Sequence, residues 1–194
     1  MKKNVKKRSS HKAVVRITFT AMMVALYFVL DRFLAFFPTD SVKISFSFIA
    51  VAVCAIWLGP IEGMLAGGLG DFVSAVLMPV GLFNPMLNAT SALSGLLFGI
   101  ACKRRVDAPL SKGRMMVNIV AVNLIVTVVI NLGLNTLALA LLYSPEAVWP
   151  YFFASLPLRA IKEGVMLFIR IAAFSLLALP DGRMGAVVRR LQQG

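Results

Sequence analysis

The chain has 194 residues, 59% hydrophobic and only 14% charged, with a mean hydropathy of +0.86. Soluble domains hold roughly 45–50% apolar residues, glycine included, and about 25% charged ones, so an ordinary water-soluble fold is excluded and a single membrane-embedded domain is expected. The net charge of +12, from 20 Lys+Arg against 8 Asp+Glu, does not mark a nucleic-acid partner, because such a footprint needs a folded polar face that this composition cannot build.

A basic stretch over residues 1–16 opens the chain and is expected to be a cytoplasmic tail, matched by a second over 180–194. Between them, residues 17–179 divide into six apolar runs: Ile17–Leu30, Ile44–Leu58, Glu62–Met78, Met86–Ala101, Met116–Leu142 and Pro157–Leu179. The fold class predicted is an all-α membrane protein with six transmembrane helices. The first run follows basic residues as a secretory signal does. No small-residue cleavage site follows it, only Tyr27-Phe-Val-Leu-Asp-Arg, so it is retained as a span. Runs two and three are short for a bilayer core that needs about 20 residues, which implies shielding by other helices or an earlier start. Gly59-Pro60 separates them as a turn dipeptide.

Lysine and arginine placement sets the orientation. The N-terminal tail (Lys2, Lys3, Lys6, Lys7, Arg8, Lys12, Arg16), the fourth connection (Lys103, Arg104, Arg105, Lys112, Arg114) and the C-terminal tail (Arg183, Arg189, Arg190) hold fifteen of the twenty cations. Six spans put all three on one side, so both termini are expected in the cytoplasm of a multi-pass protein of the bacterial plasma membrane. Arg32, Lys43, Arg159 and Lys162 fall on the opposite side, and Arg170 inside a span.

Several chemistries find no residues. There is no G-x-x-x-x-G-K-[ST] loop for ATP, and the lone histidine, His11, lies in the basic tail, away from any intramembrane metal or nucleophilic site. Cys54 and Cys102 form no metal or disulfide pattern and read as small apolar filler. Neither an enzyme nor a bound cofactor or metal is expected.

Polar residues inside spans are costly and mark functional sites by default. The loop from Asp31-Arg32 to Lys43-Ile-Ser-Phe-Ser-Phe mixes two cations with Phe33, Phe36, Phe37, Phe46 and Phe48. It suits either stacking on a planar acid or an interfacial aromatic belt. Asp71, in Gly67-Gly-Leu-Gly-Asp-Phe, is read first as a partner for Arg170 across the bundle and second as a ligand group. Asn131 and Asn135 lie i, i+4 beside Thr136, and serve either to read a heterocycle edge or to join helices. Leu156-Pro-Leu-Arg-Ala-Ile-Lys-Glu starts the sixth span with Pro157 in its first turn. Arg159 and Lys162 then share a face at the dipole end that disfavours cations, which points to an anionic partner; alternatively Glu163 neutralises Arg159 while Lys162 snorkels. Small residues at spacing four, Ala21/Ala25, Gly63/Gly67 and Ser91/Gly95/Gly99, allow close helix approach.

These segments, in this order, resemble the substrate-binding S component of energy-coupling factor (ECF) vitamin transporters, most closely the folate branch. The resemblance covers about Ala21 to Leu177. It rests on Ala21-Met-Met-Val-Ala25, Arg32-Phe-Leu, Lys43-Ile-Ser-Phe-Ser-Phe, Gly59-Pro60, Leu69-Gly-Asp71, Asn131-Leu-Gly-Leu-Asn-Thr136 and Leu156-Pro-Leu-Arg-Ala-Ile-Lys-Glu163. The Asn131 and Arg159 segments are the more specific. Phe83-Asn-Pro-Met-Leu-Asn-Ala-Thr90 departs from the family's usual sequence, and its Asn84 joins the candidates. The resemblance implies a vitamin site near the outer face, roofed by the first outer loop. It also implies a transmembrane coupling subunit and two ABC ATPases as partners, the coupling subunit meeting Ala21 and Ala25. The expected ligand is folate or a related pterin, held by Arg32, Lys43, Asp71, Asn84, Asn131, Asn135, Arg159 and Lys162. An S component for riboflavin, biotin or pantothenate, and a ligand-free structural membrane protein, are the alternatives.

Overall fold

The computed structural model describes residues 2–39, 42–103 and 111–178. Arg104, Arg105, Arg183, Arg189 and Arg190, part of the predicted charge asymmetry, lie outside them. Helix α1 is Lys2–Arg32, followed by a two-stranded antiparallel hairpin of β1 (Phe36–Thr39) and β2 (Val42–Ile44). Then come α2 (Phe48–Trp57), α3 (Pro60–Leu77), α4 (Pro85–Cys102), α5 (Lys112–Ile125), a π-helical segment (Val126–Leu134), α6 (Asn135–Tyr143) and α7 (Val148–Ala178). Because α5, the π segment and α6 run on without a break, the described residues form six helical bodies.

Among the described residues, four stretches are long and apolar enough to cross a membrane: Ala13–Arg32, Pro60–Leu77, Pro85–Cys102 and Gly113–Tyr143. Their outward faces are greasy, with Ile17, Leu69, Ile100, Val117 and Val128 exposed, as lipid contact requires. Helix α2 has ten residues and at about 1.5 Å rise is roughly half a hydrocarbon core long. It is tolerated because it is central. Ala50 through Ile56 are all buried, and α1, α3, α4 and α7 pack around it. Its last turn closes on Cys54, whose carbonyl accepts from the N–H groups of Leu58 and Gly59. Gly59 then turns the chain at φ 128°, a conformation that L side chains rarely adopt, and Pro60 opens α3. The expected shielding of the short second span is therefore present, although that span begins at Phe48 and not at Ile44.

The seam between α3 and α4 explains most of the small residues. A Cβ at Gly95 would overlap the Gly63 carbonyl oxygen, one at Gly67 that of Ser91, and one at Gly99 the backbone of Pro60. In α1, Thr20, Met23, Tyr27 and Asp31 are buried, a single stripe at helical spacing, and the Tyr27 ring lies against Gly70. Ala21 and Ala25 fall on the other, exposed face of α1.

The sixth helix corrects the sequence reading. It starts at Val148 and carries Pro157 in its interior. The first-turn proline is Pro150, where a missing N–H costs nothing. Pro157 forgoes a bond to the carbonyl four residues earlier on the exposed side of the helix. Arg159 and Lys162 thus sit about three and four turns inside α7, and the helix-dipole argument for an anionic partner does not hold.

Candidate functional site

A cavity of about 770 Å³ opens among the ends of α1, α3, α4, α6 and α7 that carry the hairpin and the α3–α4 connection. All eight residues expected to hold ligand line it: Arg32, Lys43, Asp71, Asn84, Asn131, Asn135, Arg159 and Lys162. With Asp31, Glu163 and Arg170 added, its wall carries five cations against three carboxylates. Their surroundings divide them sharply.

At the hairpin, Asp31 is a buried anchor. It accepts from Lys43 Nζ at 2.6 Å and from the Ser45 hydroxyl at 3.0 Å, and Arg32 Nε lies 3.5 Å away. Arg32 Nε also donates to the Ser74 carbonyl of α3 at 3.1 Å. The hairpin is thereby fastened to the end of α1, and that end of α1 to α3. Burial pushes the Lys43 ammonium below the ordinary lysine range, partly opposed by Asp31.

Deeper in, a polar relay runs from α4 to α7. The Thr90 hydroxyl lies 2.5 Å from Asn135 Oδ1, Asn135 Nδ2 donates to Asn131 Oδ1 at 3.3 Å, and Asn131 Nδ2 donates to Glu163 Oε2 at 2.9 Å. Glu163 also takes Arg170 Nη1 at 3.0 Å and Lys162 Nζ at 2.5 Å. The π segment sets this register. Its wider turn bonds the Asn135 N–H to the Ile130 carbonyl, and such segments often mark functional positions in helices.

Arg170 therefore pairs with Glu163, not with Asp71 as first read, and Glu163 neutralises Lys162 and Arg170, not Arg159. The i, i+7 spacing of Glu163 and Arg170 on one helix face was an available signal. Arg159 donates through Nη1 to Thr136 at 3.2 Å, while its buried Nε has no hydrogen-bond partner. Among the described residues no carboxylate lies within 4.0 Å of it. Asp71 is the converse. It receives one long bond from Asn88 Nδ2, at 3.4 Å, and no described cation stands within 4.0 Å. Asn84 is occupied structurally: it caps α4, accepting from the Met86 N–H at 2.9 Å and donating to the Ala138 carbonyl at 2.9 Å.

The aromatic lining differs from the expected loop cluster. Phe37's side chain lies outside the described part of the structure; among Phe33, Phe36, Phe46 and Phe48 only Phe48 lines the cavity, with the Arg170 guanidinium 6.0 Å from its ring centroid. Phe33 and Phe36 are 68% and 67% exposed, and Phe46 is not part of the lining. The aromatic faces come instead from Tyr27, Phe98, Tyr143 and Tyr151 on four helices and from Phe83 in the α3–α4 connection, positions whose spacing gives no sign of convergence in the sequence.

Chemically, the cavity offers an excess of two cations, one guanidinium with spare donors, and one carboxylate with spare acceptors. A ligand that bears both acids and N–H donors satisfies it.

Comparison with known proteins agrees with the architecture. The chain is 30% identical over 151 residues to the folate transporter FolT of Leuconostoc mesenteroides, covering 78% of this chain and 77% of that protein. It is 28% identical over 155 residues to the folate transporter FolT of Clostridium novyi, with 80% and 83% covered. A crystal structure of FolT bound with folic acid superposes with a TM-score of 0.69 at 28% identity, covering 84% of this chain and 93% of the other. Residues 15–178 match the family model of the ECF transporter substrate-specific component, and the chain belongs to that family.

Proposed function

We propose that this chain is the binding subunit for uptake of folate or a related pterin, which it holds in the cavity at the outer end of the bundle. The relatives named as folate transporters and the folic-acid complex of similar fold support the ligand class. The observation that carries the reading for this chain is Arg159, a cavity guanidinium with a buried, unpartnered Nε. An unsatisfied charged donor in a membrane-embedded site is costly unless a ligand anion completes it. The cation excess of two matches the two glutamyl carboxylates of folate. Asn131 and Asn135 present polar edges beside it, and Arg32, Lys43 and Lys162 contribute positive potential.

In this reading residues 17–179 make a six-span binding domain with basic tails, 1–16 and 180–194, both cytoplasmic. The chain makes and breaks no covalent bond. The exposed Ala21/Ala25 face of α1 docks a transmembrane coupling subunit, and two ABC ATPases supply the energy. Equilibrium binding to the purified chain tests the ligand: saturable folate binding with weaker riboflavin and biotin is expected. A flat isotherm, or equal affinity for all three, refutes the assignment.

A further inference from the structure

The cavity holds two charged groups without an ion-pair partner, and they have opposite sign. Arg159 stands on α7 and Asp71 on α3, and both helices pack on the central α2. Every other carboxylate in the lining is occupied. Asp31 holds Lys43, Ser45 and Arg32, while Glu163 holds Lys162, Arg170 and Asn131. Asp71 keeps the most acceptor capacity of the three. Its one bond, from Asn88, comes from an amide that is itself fixed on the Gly68 carbonyl at 2.8 Å, so the carboxylate is steadied but not saturated. A carboxylate has about four acceptor sites and matches two parallel N–H donors as it matches an arginine fork.

The surroundings suit a flat ring. Gly67 and Ala75, one turn before and after Asp71, line the cavity on the same face of α3 and carry little bulk. Phe83 offers an aromatic surface nearby, braced edge-on against Phe72 of α3 at 6.1 Å. An aminopyrimidinone edge, as in a pterin, presents a ring N–H and an adjacent amino N–H in parallel. A flavin presents one N–H between two carbonyls, and would set a carbonyl oxygen against the carboxylate.

We propose that Asp71 accepts the paired N–H donors of the ligand's heterocycle while Arg159 binds its carboxylate end, so that the ligand lies with its ring on α3 and its acid on α7. This rests on the pterin reading above and adds an orientation and a residue that discriminates among heterocycles.

Two fragments of folate separate the ends: 6-hydroxymethylpterin carries the ring without a carboxylate, and p-aminobenzoylglutamate carries the acids without the ring. Each is titrated calorimetrically into the full chain in detergent, beside folate. Asp71→Asn is expected to lower the ratio of pterin to p-aminobenzoylglutamate affinity by about tenfold, the scale of one lost hydrogen bond to a charged group. Arg159→Gln is expected to raise that ratio by a similar factor. A merely structural role for Asp71 weakens both fragments together, and an unmoved ratio or a joint loss overturns the proposal. If Asp71→Asn does not fold, Asp71→Ser takes the same ratio test. Should the unaltered chain bind folate and not 6-hydroxymethylpterin, the Asp71 assignment falls alone. Should it bind neither folate nor the fragments, the functional reading falls first.

Discussion

Glu163→Gln keeps the shape of a side chain that is 3% exposed and deletes its charge. Three donors lose the carboxylate they share, Arg170 at 3.0 Å, Lys162 at 2.5 Å and Asn131 at 2.9 Å, with the two cations only 11% and 22% exposed. Removing one partner of a buried ion pair costs about 3–5 kcal/mol. The glutamine carbonyl still accepts one hydrogen bond, recovering about 1 kcal/mol, so the net loss is roughly 2–4 kcal/mol. For a chain of this size each kcal/mol moves the midpoint by about 2–4 °C, and the expected fall in thermal unfolding temperature is roughly 5–15 °C. Ligand binding should move the other way. With Glu163 neutral, Lys162 and Arg170 face the cavity unpaired, and affinity for p-aminobenzoylglutamate rises while stability falls. A second substitution, Arg170→Met, removes one stranded cation and should restore part of the lost stability. A shift below about 2 °C, within the range of a neutral surface change, would show that Glu163 is not the charge hub. Simple addition of the two losses would show that its partner is not Arg170.

Lys43 gives a pH signature. Burial lowers its pKa, so in the folded chain it sheds its proton at a lower pH than when unfolded. Above that folded pKa and up to the ordinary lysine range, the unfolded chain binds more protons and stability rises with pH. Anion binding favours the protonated lysine, so affinity for p-aminobenzoylglutamate falls as pH rises through the same window. Lys43→Gln should flatten that slope, and a slope that persists unchanged assigns it to another group. At the α3–α4 seam, Gly95→Ala drives a methyl into the Gly63 carbonyl and should cost about 1–3 kcal/mol by overpacking. Gly164→Ala on α7, with nothing within 4 Å of the added carbon, should be neutral or stabilise by up to about 1 kcal/mol; equal effects in thermal unfolding would contradict the seam. Ala21→Trp with Ala25→Trp alters an exposed face and should abolish uptake in cells supplied with the coupling module while folate affinity is retained. Loss of binding as well would mean that the face packs internally.

Residue type and local spacing carried much of the site. Ionisable and amide groups stand out in an apolar chain, and all eight candidates line one cavity because few other places in a membrane fold accept them. The helix-breaking signals were less faithful. Pro157 reads as a helix start, but α7 begins nine residues earlier, since a single proline on an exposed face is tolerated in an apolar helix. The hairpin over Phe36–Ile44 had only the turn-forming Pro38-Thr-Asp-Ser41 to announce it. Asn84 was readable as a cap, because Asn followed by Pro is the signature of a helix N-terminus; its novelty within the motif drew it to the ligand instead. What spacing could not supply is partnership. Glu163 lies four residues from Arg159 and seven from Arg170, both compatible with one helix face, and only the folded chain, which pairs it with Arg170 and turns Arg159 to Thr136, shows which cation the carboxylate serves. Of the grounds that single out Arg159 in the sequence, its place at a helix end does not hold. Arg159 remains the strongest anchor for an anion because of what is missing around it, and the lack of a neighbour from four other helices is a property that no window of sequence contains.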